Sequence, residues 1–220
     1  MKPNLMGATQ APELVVEELE PVDLDGLAAR FELEDVRVCS VSSPKLEAGS
    51  GRLARAQLID VDLGESKLRG VELVDVIAER LDAANGDWGG ARLRRTLLGD
   101  ARLTGLDFAE AQIEHVRFKL CKLDYVNFRH SEIEHVSFED CVLTGTDFQG
   151  AKIKETVFSG CQLLEADFSK AELARVDMRG SGLALAGSVL GLRGAIIDPL
   201  QLMELARTLA HELGITVEDA

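Results

Sequence analysis

Residues 141–170 read Cys141-Val-Leu-Thr-Gly, Thr146-Asp-Phe-Gln-Gly, Ala151-Lys-Ile-Lys-Glu, Thr156-Val-Phe-Ser-Gly, Cys161-Gln-Leu-Leu-Glu and Ala166-Asp-Phe-Ser-Lys. In each group of five the first residue is small or uncharged and the third is Leu, Ile or Phe. Working outward, every fifth residue from Leu53 to Leu183 is apolar, and the register never slips. Two residues before each of these sits an uncharged residue, of which only Leu81 and Leu106 are large. A repeat of this kind is read before any local propensity, because each unit buries its apolar face only against its neighbours.

Charge placement shows that the period is physical. Residues 53–183 contain 17 Lys or Arg and 23 Asp or Glu, and none falls on either position. Charged side chains are rarely fully buried without a partner. Two positions per pentad therefore point inward and three point outward. A period of five matches neither a helix nor a plain strand. Inward residues two apart fit a short strand segment, after which the chain turns so that the next pair faces the same axis.

A second period sets the size of one turn. Cys121, Cys141 and Cys161 are 20 apart, as are His115 and His135. Phe108, Phe128, Phe148 and Phe168 form one series, and Phe118, Phe138 and Phe158 another. Four pentads per coil place each series in one vertical ladder, with strands stacked ~4.8 Å apart. The repeat over 53–183 predicts nearly seven coils, a rod of roughly 30–35 Å on that spacing.

Here the chain resembles the pentapeptide-repeat family, whose pattern is a small residue, Asp or Asn, Leu or Phe, and two variable residues. Ala166-Asp167-Phe168-Ser169-Lys170 and Thr146-Asp147-Phe148-Gln149-Gly150 match it closely. The resemblance implies a right-handed quadrilateral parallel β-helix, an all-β solenoid, over about 51–190. Elsewhere Val, Thr or Cys often takes the small position, and the middle residue is often neither Asp nor Asn.

The flanks read differently. Residues 1–50 are expected to hold a mobile N-terminal tail over 1–20 and a degenerate first coil or cap, since Leu33 and Val38 share the later register. Ser42–Ser50, with Pro44 and Gly49, reads as a loop. Ala83–Gly90 is rich in Gly and thin in inward residues, which suggests a bulge; Trp88 within it takes an inward position. Residues 191–220 are expected to form a C-terminal helix and a short strand. Asp198-Pro199 is a helix start, Leu202, Leu205, Leu209 and Leu213 recur at helical spacing, and Gly214 ends it. Ile215-Thr216-Val217 reads as the strand.

Composition excludes several functions. The net charge of −14 argues against direct nucleic-acid binding, which needs basic patches. No apolar run approaches a membrane span and no signal peptide is read, so a cytoplasmic protein is expected. The four Cys do not form a disulfide framework; Cys121, Cys141 and Cys161 read as inward core residues. His115 and His135 read as stacked, exposed corner residues, too few to hold zinc. Arg92, Arg94 and Arg95 are the tightest basic cluster and read as a solvated face, with an anion or partner contact as the minority reading. Gly145–Lys152 echoes a phosphate loop without its Lys-Ser/Thr ending or strand-to-helix context, and is rejected. No catalytic arrangement stands out, so neither an enzyme nor a cofactor is expected.

A solenoid offers a long regular surface for a protein partner. The family resemblance implies one candidate, since some relatives mimic duplex DNA and bind DNA gyrase, protecting it from fluoroquinolones. Such relatives often end in a dimerising helix. The open end of the coil stack also needs a cover, so a homodimer joined through the C-terminal end is expected, with Leu200, Leu202, Met203, Leu205, Leu209, Leu213 and Ile215 as dimerisation or capping residues; the competing reading is a monomer whose helix lies across the coil end. The alternative is a scaffold module with no topoisomerase role, consistent with acidity that is spread over all four faces.

Overall fold

The computed structural model describes residues 9–24 and 30–218. Residues 1–8 of the expected tail lie outside them. The chain forms a parallel β-solenoid of about nine turns, closed at one end by a helix. Strand β1 (Glu20–Pro21) pairs with β3 (Val36–Cys39), and β2 (Arg30–Glu34) and β3 both pair with β4 (Ser50–Ile59). Then β5 (Glu72–Glu79), β6 (Arg92–Gly99) and β7 (Gln112–Lys119) stack in turn. The next layer is split into β8 (Glu132–Glu134) and β9 (Ser137–Glu139), on which β10 (Lys152–Ser159) and β12 (Glu172–Asp177) stack. A separate pair, β11 (Gln162–Ala166) and β13 (Gly182–Leu185), follows, and β14 (Ala195–Ile196) caps part of β12. From β2 to β12 the main sheet's partners are 20 residues apart, as in Leu53↔Leu73 and Phe118↔Phe138.

Each pentad turns at its fifth residue. From Asp60 to Gly180 every fifth residue has a positive φ, between 45° and 76°. This left-handed conformation bends the chain around a corner in one step, and it suits Gly, Asn and Asp best. Four such corners per 20 residues make the coil four-sided. The middle residue of the family pattern supports the turn. Asp82, Asp87, Asp107, Asn127, Asp147 and Asp167 each accept the N–H two residues on, in Asx turns of 2.8–3.1 Å.

The inward positions build one continuous core. The Phe rings stack along the axis in two ladders, with centroids 4.7–5.5 Å apart. Edge-on contacts such as Phe128–Phe138, at 6.4 Å, join the two ladders, which is a favoured aromatic geometry. Trp88 extends the Phe108 ladder edge-on at 5.9 Å, and its indole N–H donates to Ser66 Oγ at 3.0 Å. Its polar edge is thereby satisfied in the core.

The small inward position does more than fill space. Cys121, Cys141 and Cys161 stack in one buried row, and their Sγ atoms lie 3.3–3.5 Å from the carbonyls of Leu98, Phe118 and Phe138 in the preceding coil. Thr146 and Ser181 make the same bond to Leu123 and Phe158. Thiol or hydroxyl at this position thus ties consecutive coils. The bond between neighbouring thiols pushes Cys141 up to about 12. A thiol reagent should therefore label one cysteine of the native protein quickly, the exposed Cys39, and all four only after denaturation. Fast labelling of Cys141 in folded protein would contradict this packing.

Four local expectations are corrected. Ser42–Ser50 is a regular part of the first full coil, bridged at Ser42↔Asp62 and Glu47↔Lys67, because its Pro and Gly sit at outward positions. Ala83–Gly90 has no bulge; Asp82↔Arg102 and Asp87↔Asp107 keep the spacing. Gly86 answers to crowding instead, since a Cβ there would lie 3.0 Å from Leu106 Cδ1, and Gly90 is a corner residue with φ of 69°. Ile215–Val217 is exposed and pairs with no strand among the described residues. Residues 9–19 lie against the rod rather than forming a loose tail.

Candidate interaction surfaces

The outward rows pair along the axis, residue i with i ± 20. Arg52 meets Glu32 and Glu72, Arg92 meets Glu72 at 2.8 Å, and Lys152 meets Glu132 at 3.0 Å. Arg80 binds Asp60, and Arg102 binds Asp82 at 2.8 Å. The tight basic cluster dissolves into this pattern: Arg94 faces Glu114 at 3.8 Å and Arg95 binds Asp75. The exposed pairs each contribute little, about 0–1 kcal/mol, but they give Arg92 and Arg94 carboxylate partners in neighbouring coils.

One corner ladder is different in kind. It runs Asp35, Arg55, Asp75, Arg95, His115, His135, Glu155, Arg175. Asp35–Arg55, Asp75–Arg95 and Glu155–Arg175 are ion pairs. His115 and His135 stack face to face with centroids 4.7 Å apart. The Asp75–Arg95 pair is buried, with side-chain exposures of 8% and 15%. Burial alone would raise the Asp75 carboxyl, but the Arg95 guanidinium and the Glu13 N–H outweigh it and hold it below the usual range.

Residues 9–19 cover this corner. The segment runs along the rod axis, so falling residue numbers meet rising coils. Arg37 Nη2 donates to the Val16 carbonyl, and Glu13 N–H donates to Asp75 Oδ1 at 2.9 Å. Gln10 N–H points to His115 Nδ1 at 3.4 Å, and Arg117 Nη2 to Thr9 Oγ1 at 3.4 Å. The His115 side chain is consequently 12% exposed, which corrects the expectation of an open corner residue. Sequence reasoning missed the segment because its contacts lie 21 to 108 residues away. Among the described residues no group of three His, Cys, Asp or Glu could hold a metal ion.

The C-terminal end presents the apolar surface. Helix α1 (Pro199–Glu212) starts with Asp198 and Gln201 in a reciprocal capping box. Gln201 then reaches the coil end, where its Nε2 donates to the Met178 and Ser181 carbonyls at 2.7 and 2.6 Å. These carbonyls sit at the open sheet edge, and the helix supplies donors that the next coil would have supplied. That docking sets the helix rotation. Leu205 is buried and Leu209 half-buried, whereas Leu202 and Leu213 of the expected apolar stripe are exposed. Leu200, Met203 and Ile215 are exposed with them.

Comparison with known proteins agrees with the geometry. Residues 91–168 match the family model described as a pentapeptide repeat region. Over that segment the chain is similar to this family, and the β-helix carries the same five-residue turn well beyond it. Two trypsin-treated forms of QnrB1, a plasmid-mediated fluoroquinolone resistance protein, have the same fold. One aligns with a TM-score of 0.62 at 19% identity over 90% of this chain and 96% of its own. The other aligns at 0.53 and 18%, over 86% and 100%. HetL, a pentapeptide repeat protein involved in heterocyst differentiation regulation in the cyanobacterium Nostoc, aligns at 0.44 and 17% identity over 77% of this chain and 91% of its own. No curated protein matches the chain in sequence. No helix among the described residues is long and apolar enough to cross a membrane.

Proposed function

We propose that this protein is a non-enzymatic binding rod that dimerises through its C-terminal end and recognises a macromolecular partner, with a topoisomerase such as DNA gyrase as the first candidate. The observation that carries the reading is the contrast between surfaces. The outward rows pair charges along the axis, while α1 leaves Leu200, Leu202, Met203 and Leu213 exposed together with Ile215 and Val217 after it. Grouped apolar residues on an otherwise polar surface mark contact sites. A two-fold partner would cover the same patch on both chains, the commonest oligomeric arrangement.

Light scattering is expected to give about twice the chain mass of 23.9 kDa at micromolar protein, and the chain mass for a form ending near Asp198. A monomer mass for the full chain would leave α1 as a cap alone. The partner is tested by DNA gyrase supercoiling with and without the protein, and with and without a fluoroquinolone. Protection or inhibition at stoichiometric protein supports the topoisomerase reading.

A scaffold role without a topoisomerase is favoured by a specific observation. A DNA mimic needs rows of free carboxylates at phosphate-like spacing. Here Asp87, Asp107, Asp147 and Asp167 each commit one oxygen to a turn N–H, and Arg69 and Arg129 bind Asp87 and Asp147. Gyrase activity unchanged in every arm would favour this reading.

A further inference from the structure

We propose that residues 9–19 are a strap whose docking depends in part on neutral His115, and that protonation of His115 loosens it over the Asp75–Arg95–His115 track. This rests on contacts within one chain and is independent of the partner. The strap touches coils at Arg37, Asp75, His115 and Arg117. Three of these anchors are permanent at neutral and mildly acidic pH, since they use a carboxylate or a guanidinium. The fourth is not. His115 Nδ1 receives the Gln10 N–H, so that nitrogen must carry a lone pair. A proton placed there would face another N–H.

The surroundings also oppose the charged ring. His115 stacks on His135, so two imidazolium rings would lie 4.7 Å apart. Arg94 and Arg95 approach from the preceding coil. Only Glu114, on the same strand with Oε1 3.6 Å from His115 Nε2, favours the cation. Glu134 stands beside His135 at 3.7 Å, Glu155 faces His135 from the next coil, and Glu13 of the strap lies nearer Arg95. His135 Nδ1 is itself buried with no hydrogen-bond partner among the described residues. Burial first, and the His135 ring second, hold His115 below its ordinary value of 6.5.

The sign follows. Strap docking favours the neutral ring, so it is fully supported above about pH 6.5 and weakens as the pH falls through the docked-state value. Unbinding restores water and an open Nδ1, which takes up the proton. The stretch uncovered is the most buried part of the corner, one ion pair and one aromatic ring in a line. Release would therefore change which surface the rod offers to an extended polypeptide.

The test is amide hydrogen exchange of the full chain at about pH 8 and about pH 5.5, corrected for the intrinsic rate, with the Phe138 amide as internal reference. Protection of the Gln10 and Glu13 amides is expected to fall several-fold in the native protein at the lower pH, while Phe138 stays unchanged. In His115→Asn, a residue that tolerates the φ of 53° and keeps an acceptor, the fall should vanish. Gln10→Pro removes the N–H without touching the rod, and should likewise abolish the pH effect at Glu13. A native strap equally protected at both pH values overturns the proposal. So does a fall that persists in either variant.

Discussion

Phe138→Ala is expected to destabilise the protein by about 3–5 kcal/mol, the range for emptying a large aromatic site in a packed core. Phe138 is fully buried, stacked on Phe118 at 4.8 Å and on Phe158 at 4.7 Å, and touches Phe128 edge-on. Coils on both sides hold the backbone in register, so the walls cannot collapse into the space. Chemical denaturation of native protein and variant measures the loss. A change under about 1 kcal/mol, the scale of ordinary surface substitutions, would contradict the ladder.

Asp75→Asn is expected to cost about 2–3 kcal/mol at neutral pH. The full penalty for orphaning one member of a buried pair is roughly 3–5 kcal/mol, reduced here because Arg95 keeps some contact with water. Asn fits the positive φ of 56° and still accepts the Glu13 N–H, so the change isolates the charge. The pH dependence has a definite sign. The folded-state value of Asp75 lies below the ordinary 3.8, so its contribution is present above that value and lost as the pH falls through the folded one. Native protein and variant should thus converge in stability below about pH 3.8, as urea titrations at several pH values would show. A gap that stayed constant into strong acid would remove the charge from the explanation.

The coil was legible in the sequence because its cause is local. Each pentad carries its own burial pattern, as Ala166-Asp167-Phe168 does, and no distant residue is needed to read which side chains face the axis. The 20-residue spacing of Cys121, Cys141 and Cys161 then reports the ladder directly. The same local reading overvalued composition at Ser42–Ser50 and Ala83–Gly90. There Pro and Gly occupy outward or crowded positions of an unbroken coil, so turn-like composition did not mean a break.

The candidate surfaces were less legible. Arg92, Arg94 and Arg95 look like one cluster along the chain, yet each finds its carboxylate 20 residues away. His115 reads as exposed until the strap is laid over it. Along α1 the spacing of Leu202, Leu205, Leu209 and Leu213 defined an apolar stripe, but not its rotation on the coil end.

What the sequence by itself determined is the periodic part: the inward ladders, the four-sided turn and the existence of a helix beginning at Asp198. Tertiary structure alone decided which charges neutralise one another, where residues 9–19 lie and which side of α1 remains uncovered. The physical reason is the range of the forces. Burial every fifth residue is imposed within each pentad, whereas ion pairing follows from stacking coils. The helix rotation follows from the Gln201 side chain, which binds the Met178 and Ser181 carbonyls at the coil end and leaves Leu202 and Leu213 on the surface.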